Sequence, residues 1–525
     1  MNGTTRRTAL RAGGGLFAAA WLTGCDGHGA PDAKATAPGT SGSTAPASTK
    51  PSTGAPGTSA TPASVKPDWK ALAGALDGDL IRPQDSAYDV DHRLYNTRFD
   101  DLHPAGIAYV TSAADIRACL DFARRTRVPP AIRSGGHSYA GYSSGDGRLI
   151  IDVSRLDSIR LDGTTATIGA GAKLIDVYHT LGEQGRTVPG GSCPSVGISG
   201  LALGGGHGVV SRSMGLTCDN LIGATLITAD GRTHEVSADA EPDIFWALRG
   251  AGNGNFGVVT SLRFATHAVP SSVVTGYLTW PWSRAADVVR AWQQWGPDQP
   301  DAIWSALHLD CAAGAAPGVA VPMFCTGSRA SLSAAADAFA DSVGTPASSV
   351  TLRSHTYVDA MFSYAGCSGL SDAQCHLAPR GRLGRETYTA RSDFYDTNLP
   401  AAGITALLAQ AERLTALSGP GSGSIALTAL GGAINRPSPT ATAFPHRRSR
   451  FLAQYIASDH LSTTSWLDTT HAALRRYASG AAYQNYTDPA LTTWRTAYYG
   501  PNAPRLTALK HTLDPSRLFD FPQAL

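Results

Sequence analysis

The chain has 525 residues, enough for two or three domains with cores of their own. Its 43 Lys and Arg against 41 Asp and Glu leave a formal net charge of +2, which excludes the basic excess of a nucleic-acid-binding protein. Only 16% of residues are charged, and 57 Gly with 32 Pro mark a loop-rich chain suited to export.

The N-terminus predicts that export. Thr5-Arg6-Arg7-Thr8 carries a twin arginine, and a weakly apolar run follows from Gly13 to Leu22. Leu22-Thr23-Gly24-Cys25 resembles a bacterial lipobox, in which the cysteine is acylated and becomes the mature N-terminus. The run is too short to cross a bilayer, which takes about 20 apolar residues. A plain cleaved signal with an incidental Cys25 is the alternative. Residues 1–25 are therefore read as the signal. Residues 26–66, made of Ala, Pro, Ser, Thr and Gly with almost nothing to bury, are read as a flexible tether. The expected location is outside a bacterial cell membrane, either free or held by a lipid on Cys25.

The folded part begins near Asp68. A strand is predicted around Ile107–Val110, followed by a helix that Ser112 caps and that carries Ile116, Leu120 and Ala123 at helical spacing. Ala131-Ile132-Arg133 makes a second short strand and closes a βαβ unit. It runs into a first glycine loop, Arg133-Ser134-Gly135-Gly136-His137-Ser138, which offers one histidine. Leu149–Val153 is a further strand, and Asp162-Gly163 and Asp230-Gly231 read as hairpin turns. A helix over Lys173–Glu183 leads into residues 187–208, where eight of twenty-two residues are glycine and Cys193 is the one cysteine. Such density makes sense where the main chain must approach something flat or charged closely. Residues 67–270 thus form a first α+β domain.

From Ser271 the strands lengthen, as in Val273–Trp280, Val319–Phe324 and Phe451–Ile456, and alternate with helices such as Ser331–Ser342. Pro322 should confine its strand to a sheet edge. Residues 271–480 are read as a second α+β domain, an antiparallel sheet with helices over one face. Residues 481–525, rich in tyrosine, should return to the first domain.

The remaining cysteines sort by context. Cys311 with Cys325, and Cys367 with Cys375, are expected disulfides in an exported protein. Cys119 shares a helix face with Ile116 and Leu120 and reads as a small buried hydrophobe, while Cys218 has no assignment. The 15 His and 8 Cys show no metal-ligand spacing, so no metal is expected.

Three signals are discounted. Gly252–Gly257 satisfies G-x-G-x-x-G, but a helix precedes it and a strand follows, the reverse of a dinucleotide fingerprint. Gly141-Tyr142-Ser143-Ser144-Gly145 satisfies G-x-S-x-G without the helix that a nucleophile elbow needs. Trp280, Trp282, Trp292, Trp295 and Trp304 could stack on sugar rings, but Val288, Trp292 and Trp295 share helical spacing, which favours core packing.

A series of motifs then occurs in order: Arg133-Ser134-Gly135-Gly136-His137, Gly191-Ser192-Cys193-Pro194-Ser195-Val196-Gly197, Gly204-Gly205-Gly206-His207-Gly208 and Asn255-Phe256-Gly257-Val258-Val259. Tyr483-Gln484-Asn485-Tyr486-Thr487-Asp488, Tyr498-Tyr499-Gly500 and Asp514-Pro515 follow. The whole series resembles the berberine-bridge-enzyme-like oxidases of the wider vanillyl-alcohol-oxidase fold. That resemblance implies an α+β fold, a two-part PCMH-type FAD-binding domain beside a substrate domain. It also implies FAD bonded to His137 at 8α and to Cys193 at C6. Glycine-loop N–H groups can ring a pyrophosphate, and imidazole and thiolate are the side-chain nucleophiles suited to those ring positions. The further cofactor contacts implied are Arg133, Ser134, Gly135, Gly136, Ser138, Val196, Gly197, Ser199, Gly200, Gly206, His207, Gly208, Gly257, Val259, Tyr483 and Asn485. A loop histidine at 137, or a free thiol at Cys193 beside a singly attached flavin, are the bland alternatives.

The implied reaction takes hydride from an alcohol, a sugar hydroxyl or a secondary-metabolite carbinol, to flavin N5, and needs a base for the hydroxyl proton. Tyr483 is that base by carry-over from the family's Tyr-x-Asn-Tyr motif, with Tyr486 beside it and Gln454 as a polar partner from the second domain. Val196 follows the linking cysteine's Pro-Ser and in the family gates oxygen, so a short side chain there implies an oxidase using O2 and giving hydrogen peroxide. A packing role for Tyr483 or Val196, a dehydrogenase with a quinone or protein acceptor, and a surface protein without turnover stay open.

Overall fold

The computed structural model describes residues 65–418, 420–458 and 461–525. The predicted signal with Cys25, and all but the last two residues of the tether, lie outside them.

The first sheet is built where apolar runs are unbroken. Strands β1 (Asp79–Ile81), β2 (Gly106–Tyr109), β3 (Pro130–Arg133) and β4 (Leu149–Asp152) lie in the order β1-β2-β4-β3, with β4 parallel to both β2 and β3. Every residue of β2 and β4 is buried, as parallel strands covered on both faces must be. The crossover helix Ala113–Thr126 starts where Ser112 Oγ accepts the Asp115 N–H at 3.2 Å, and it buries Ile116, Cys119, Leu120 and Ala123. Its cap, helix face and flanking strands are those expected from local chemistry, and Cys119 is the buried hydrophobe foreseen.

The second sheet is antiparallel. Strands β5 (Ile159–Asp162), β6 (Thr165–Gly169), β8 (Leu221–Ile227), β9 (Thr233–Ser237) and β10 (Val258–Ala265) run in the order β5-β6-β10-β8-β9. Asp162 pairs with Thr165 and Ile227 with Thr233, so both predicted turns fall between paired strands. A two-stranded ribbon joins β7 (Arg186–Thr187) to β11 (His267–Ala268).

The third sheet has seven antiparallel strands: β12 (Val273–Trp280), β13 (Ile303–Ala312), β14 (Gly318–Cys325), β15 (Ser349–His355), β16 (Tyr388–Tyr395), β17 (Ser422–Ala429) and β18 (Phe451–Ser458). Their order is β15-β12-β14-β13-β17-β18-β16. Side chains alternate between its faces. Leu307, Leu309, Ile425, Leu427, Ala453 and Tyr455 face helices that include Ala285–Trp295, Arg329–Val343 and Ala401–Thr415 and form one large core. Trp304, Ala306, His308, Ala426, Thr428 and Gln454 face a cleft on the other side.

Two expectations fail in this sheet. Pro322 is not at an edge, because β14 lies between β12 and β13. Pro322 pairs with Tyr277 of β12, and the β13 ladder is interrupted opposite it at Ala306 and Leu307, which spares the missing N–H. Cys311 and Cys325 form no disulfide and are both buried free thiols. Cys325 pairs with Ile303 at one end of β13, whereas Cys311 pairs with Gly423 at the other, so a strand's length separates them. Cys367 and Cys375 do form their disulfide, with Cα atoms 5.7 Å apart.

The tryptophans divide. Trp280 and Trp292 are buried in the helix-side core and Trp282 and Trp295 pack against it, but Trp304 faces the cleft. The C-terminal segment is bonded to the loop before β10: Lys510 Nζ donates to the Asn255 carbonyl at 2.7 Å and the Leu525 N–H to Asn255 Oδ1 at 3.1 Å.

Candidate active site

The cleft lies between the two glycine loops, the open face of the third sheet and the C-terminal segment. It holds about 2210 Å³ of atom-free space, part of it continuous with solvent. Its enclosed part measures about 360 Å³, at the lower end of the roughly 300–1,000 Å³ of ligand pockets.

The loops meet backbone to backbone. A Cβ on Gly135 would stand 2.7 Å from the Ser195 carbonyl and collide with the Gly197 nitrogen, so only glycine lets the loops close. Ser134 Oγ and Ser199 Oγ each donate to the Ala170 carbonyl at 2.7 Å, tying both loops to one anchor. Lys173 Nζ, half-buried, donates to the Ser134 carbonyl at 3.0 Å and the Gly171 carbonyl at 2.9 Å. Beneath them Arg133 and Asp152 make a buried ion pair.

His137 stands where the loops touch. Its Nε2 is 2.8 Å from Ser195 Oγ and its ring stacks on Tyr95 with centroids 4.0 Å apart. Burial, helped by the Lys173 charge, pushes its pKa down to about 3, so the imidazole is neutral and keeps a lone pair. Cys193 lines the same cleft, with Val196 and Gly197. It is half of a disulfide.

Opposite them is the tyrosine motif. Tyr483 Oη accepts the Gly206 N–H and an Asn485 Nδ2 N–H, both at 2.8 Å, and the Tyr483 N–H donates to Ser392 Oγ at 3.0 Å. Gly206 reaches it at φ +83, a conformation glycine alone adopts easily. With two donors filling its lone pairs, the hydroxyl's own proton must point elsewhere. Burial raises the phenol's pKa, and the two donors oppose that. Tyr486 Oη lies 2.9 Å from His207 Nε2, and burial pushes the pKa of His207 down to about 4. Gln454 Nε2 donates to Tyr139 Oη at 2.9 Å.

Of the expected cofactor residues, Ser134, Gly135, Gly136, His137, Ser138, Cys193, Val196, Gly197, Ser199, Gly200, His207, Tyr483 and Asn485 line the cleft. Tyr486 and Gln454 line it as well. Arg133, Gly206, Gly208, Gly257 and Val259 stand behind the wall; a Cβ on Gly208 would collide with the Gly190 carbonyl. Sequence reasoning missed Tyr139, Tyr364, Tyr388 and His308 in the wall. Tyr139, two residues past His137, carried a signal that could have found it.

The wall fits FAD. Ser143 Oγ, Asn253 Oδ1, Gln484 Oε1 and Gln523 Oε1 are buried at the cleft with no hydrogen-bond partner, so a polar ligand is needed to satisfy them. Among the described residues of the lining, Arg148 and Asp520 are the charged ones besides histidines, so main-chain N–H groups are the donors that a diphosphate finds in the glycine loops. Ser143, with no base bonded to it, is no hydrolase nucleophile. Gly252–Gly257 follows the helix Pro242–Ala251 and precedes β10, the reversed order foreseen. Among the described residues no group of His, Cys, Asp or Glu is arranged to hold a metal ion.

Fold and site define a flavoprotein oxidoreductase. A family model described as an FAD binding domain matches residues 104–237, and one described as berberine and berberine like matches 482–525. The chain is 31% identical to the chitooligosaccharide oxidase of Gibberella zeae over 463 residues, which is 83% of this chain and 89% of the relative. It is 30% identical over 465 residues to an uncharacterized FAD-linked oxidoreductase of Bacillus subtilis, 86% of this chain and 97% of the relative. A solved BBE-like protein of Physcomitrella patens superposes with a TM-score of 0.80 at 28% identity, covering 87% of this chain and 98% of that one. The xylooligosaccharide oxidase of Myceliophthora thermophila, solved with xylobiose, gives 0.78 at 28%, with the same coverage. The chain belongs to the berberine-bridge-enzyme-like FAD-linked oxidoreductases, enzymes acting on CH–OH groups.

Proposed function

We propose that the protein oxidises a carbohydrate hydroxyl to a carbonyl, or to a lactone where the carbon is a hemiacetal, with dioxygen as the final acceptor and hydrogen peroxide as co-product. Bound FAD supplies the two-electron acceptor, at N5, for the hydride leaving the carbinol carbon. The Tyr483 phenolate, formed when the phenol gives its own proton to solvent, takes the hydroxyl proton and becomes the phenol again. Its two N–H donors become charge-assisted bonds once the phenolate forms, and burial keeps competing water away. That doubly supported hydroxyl, facing a cleft walled by His137 and Cys193, is the observation that carries the reading. His137 would hold the flavin at 8α and Cys193 at C6; the second bond competes with the disulfide of Cys193. Val196 is short, which supports open access of dioxygen to the ring. Relatives named as oligosaccharide oxidases, the xylobiose complex among them, support a sugar over another alcohol.

Purified holoenzyme mixed anaerobically with sugars and aromatic alcohols tests this. Bleaching by a sugar, with peroxide released in air, is expected. Bleaching by aromatic alcohols alone would replace the substrate class. Slow reoxidation in air with quick turnover on a quinone would make the protein a dehydrogenase.

We propose export by the twin-arginine route and anchoring through an acylated Cys25, on the sequence of residues 1–25. Detergent-phase partitioning lost in Cys25→Ser is expected; equal solubility of both forms in the medium would leave an ordinary cleaved signal.

A further inference from the structure

We propose that His308 is a specificity-determining residue, its imidazole binding a hydroxyl of the same pyranose ring whose opposite edge meets Gln454. The inference rests on the carbohydrate reading above and assigns that substrate a second contact on the sheet floor.

The sheet register supplies the spacing. Gln454 pairs with Ala426, Ala426 with His308, and His308 with Ala320, so these four residues form one row across β18, β17, β13 and β14. Adjacent strands lie about 4.8 Å apart, which sets the backbones of Gln454 and His308 ~10 Å apart. Both side chains face the cleft. Ala426 between them, and Ala320 beyond, leave only methyl groups in the rest of that row. The row is a slot with a polar group at each end, the width of a sugar ring that hydrogen-bonds on either edge. Trp304, four residues before His308 on the same face, adds an apolar wall with Tyr364 edge-on to it at 6.1 Å. Such a wall suits the C–H face of a sugar.

His308 is the cleft histidine without a partner. His137 is bonded to Ser195 and His207 to Tyr486, but His308 makes no hydrogen bond among the described residues while only 9% exposed. A buried polar ring is costly unless something satisfies it, and a core histidine would have found a protein partner. Burial pushes its pKa down to about 4, so at neutral pH it presents one N–H donor and one lone pair. A hydroxyl both donates and accepts, and is the complement of that ring.

The test uses holoenzyme reduced anaerobically by glucose, xylose, cellobiose and xylobiose, with half-saturation and limiting rate of flavin bleaching read separately. His308→Ala should raise the half-saturating concentration of the best sugar about three- to tenfold, the loss of one neutral hydrogen bond, with little change in limiting rate. His308→Gln, which still donates and accepts, should recover part of the loss. Deoxy analogues of that sugar should bind the wild type more weakly than the parent sugar, and one of them should bind His308→Ala as well as the parent does. Flavin content and melting temperature should be unchanged, which a merely structural histidine would not allow. If the alanine variant fails to fold, the glutamine variant and the deoxy sugars carry the comparison. Unchanged half-saturation in the variants, or loss confined to the limiting rate, would overturn the proposal while leaving the carbohydrate reading intact. No bleaching of the wild type by any sugar would overturn both.

Discussion

At residue scale the chemistry turns on one hydroxyl. Tyr483 holds two N–H donors at 2.8 Å, and replacing it with phenylalanine removes the acceptor they share without opening a large cavity. Tyr483→Phe should lower the rate of flavin reduction roughly 10²–10⁴-fold, the usual worth of general base catalysis, while flavin loading stays the same; rapid-mixing spectroscopy measures both. Attachment is tested on its own. The denatured wild type is expected to stay yellow and to exceed the processed polypeptide by the mass of one FAD. His137→Ala should remove one bond and Cys193→Ala the other, each variant staying coloured. Flavin lost wholly from denatured His137→Ala would mean that Cys193 carries no bond and keeps its disulfide instead. Val196 and the glycines around it were legible because residue type in a short stretch is itself the signal, whereas His308 becomes notable only once strand register shows its neighbours to be alanines.

At the scale of elements, the Cys367–Cys375 disulfide closes a loop against the helix Leu174–Gly182. His376 Nε2 lies 3.0 Å from Asp176 Oδ1 of that helix, and both cysteines pack on Ile175. The helix in turn braces the cysteine loop, since the Leu174 N–H donates to the Val196 carbonyl and the Ile175 N–H to the Pro194 carbonyl. A loop with a sequence separation of 8 is short, so the chain-entropy account gives it ~2–3 kcal/mol. Cys367→Ser should therefore lower the melting temperature by several degrees, and added reductant should do the same to the wild type but not to the variant. A melt insensitive to both would mean that the loop bears no load. Pro322 and the Cys311–Cys325 pair teach the converse. Each was judged from its own residues, yet strand order and register set the outcome.

At the scale of the molecule, buried neutral histidines set an acid limit. Burial lowers His207 and His308 to about 4 and His446 to about 3, while an unfolded histidine titrates near 6.5. The unfolded chain thus binds more protons as pH falls below about 6.5, and stability should be lost from there down toward pH 4. Asp310 works the other way: burial raises it to about 7, so its protonation favours the fold as pH falls. Buried histidines outnumber this one acid, which predicts a melting temperature that drops between pH 6.5 and 5. A flat or rising profile would show that these rings are solvated in the native state.

What was legible in the chain was local. Ser112 capping its helix, unbroken apolar runs marking parallel strands, and the glycine loops with His137 and Cys193 all follow from backbone sterics and from side chains within a few residues. The tyrosine motif was legible too, because it is contiguous. Tertiary structure alone decided which strands became neighbours, and so whether Pro322 could sit inside a sheet and whether Cys311 could reach Cys325. It also assembled the cleft, whose wall combines residues as far apart as Pro130 and Gln523. Those contacts depend on pairing and packing between distant segments, and no window of sequence contains both partners of such a pair.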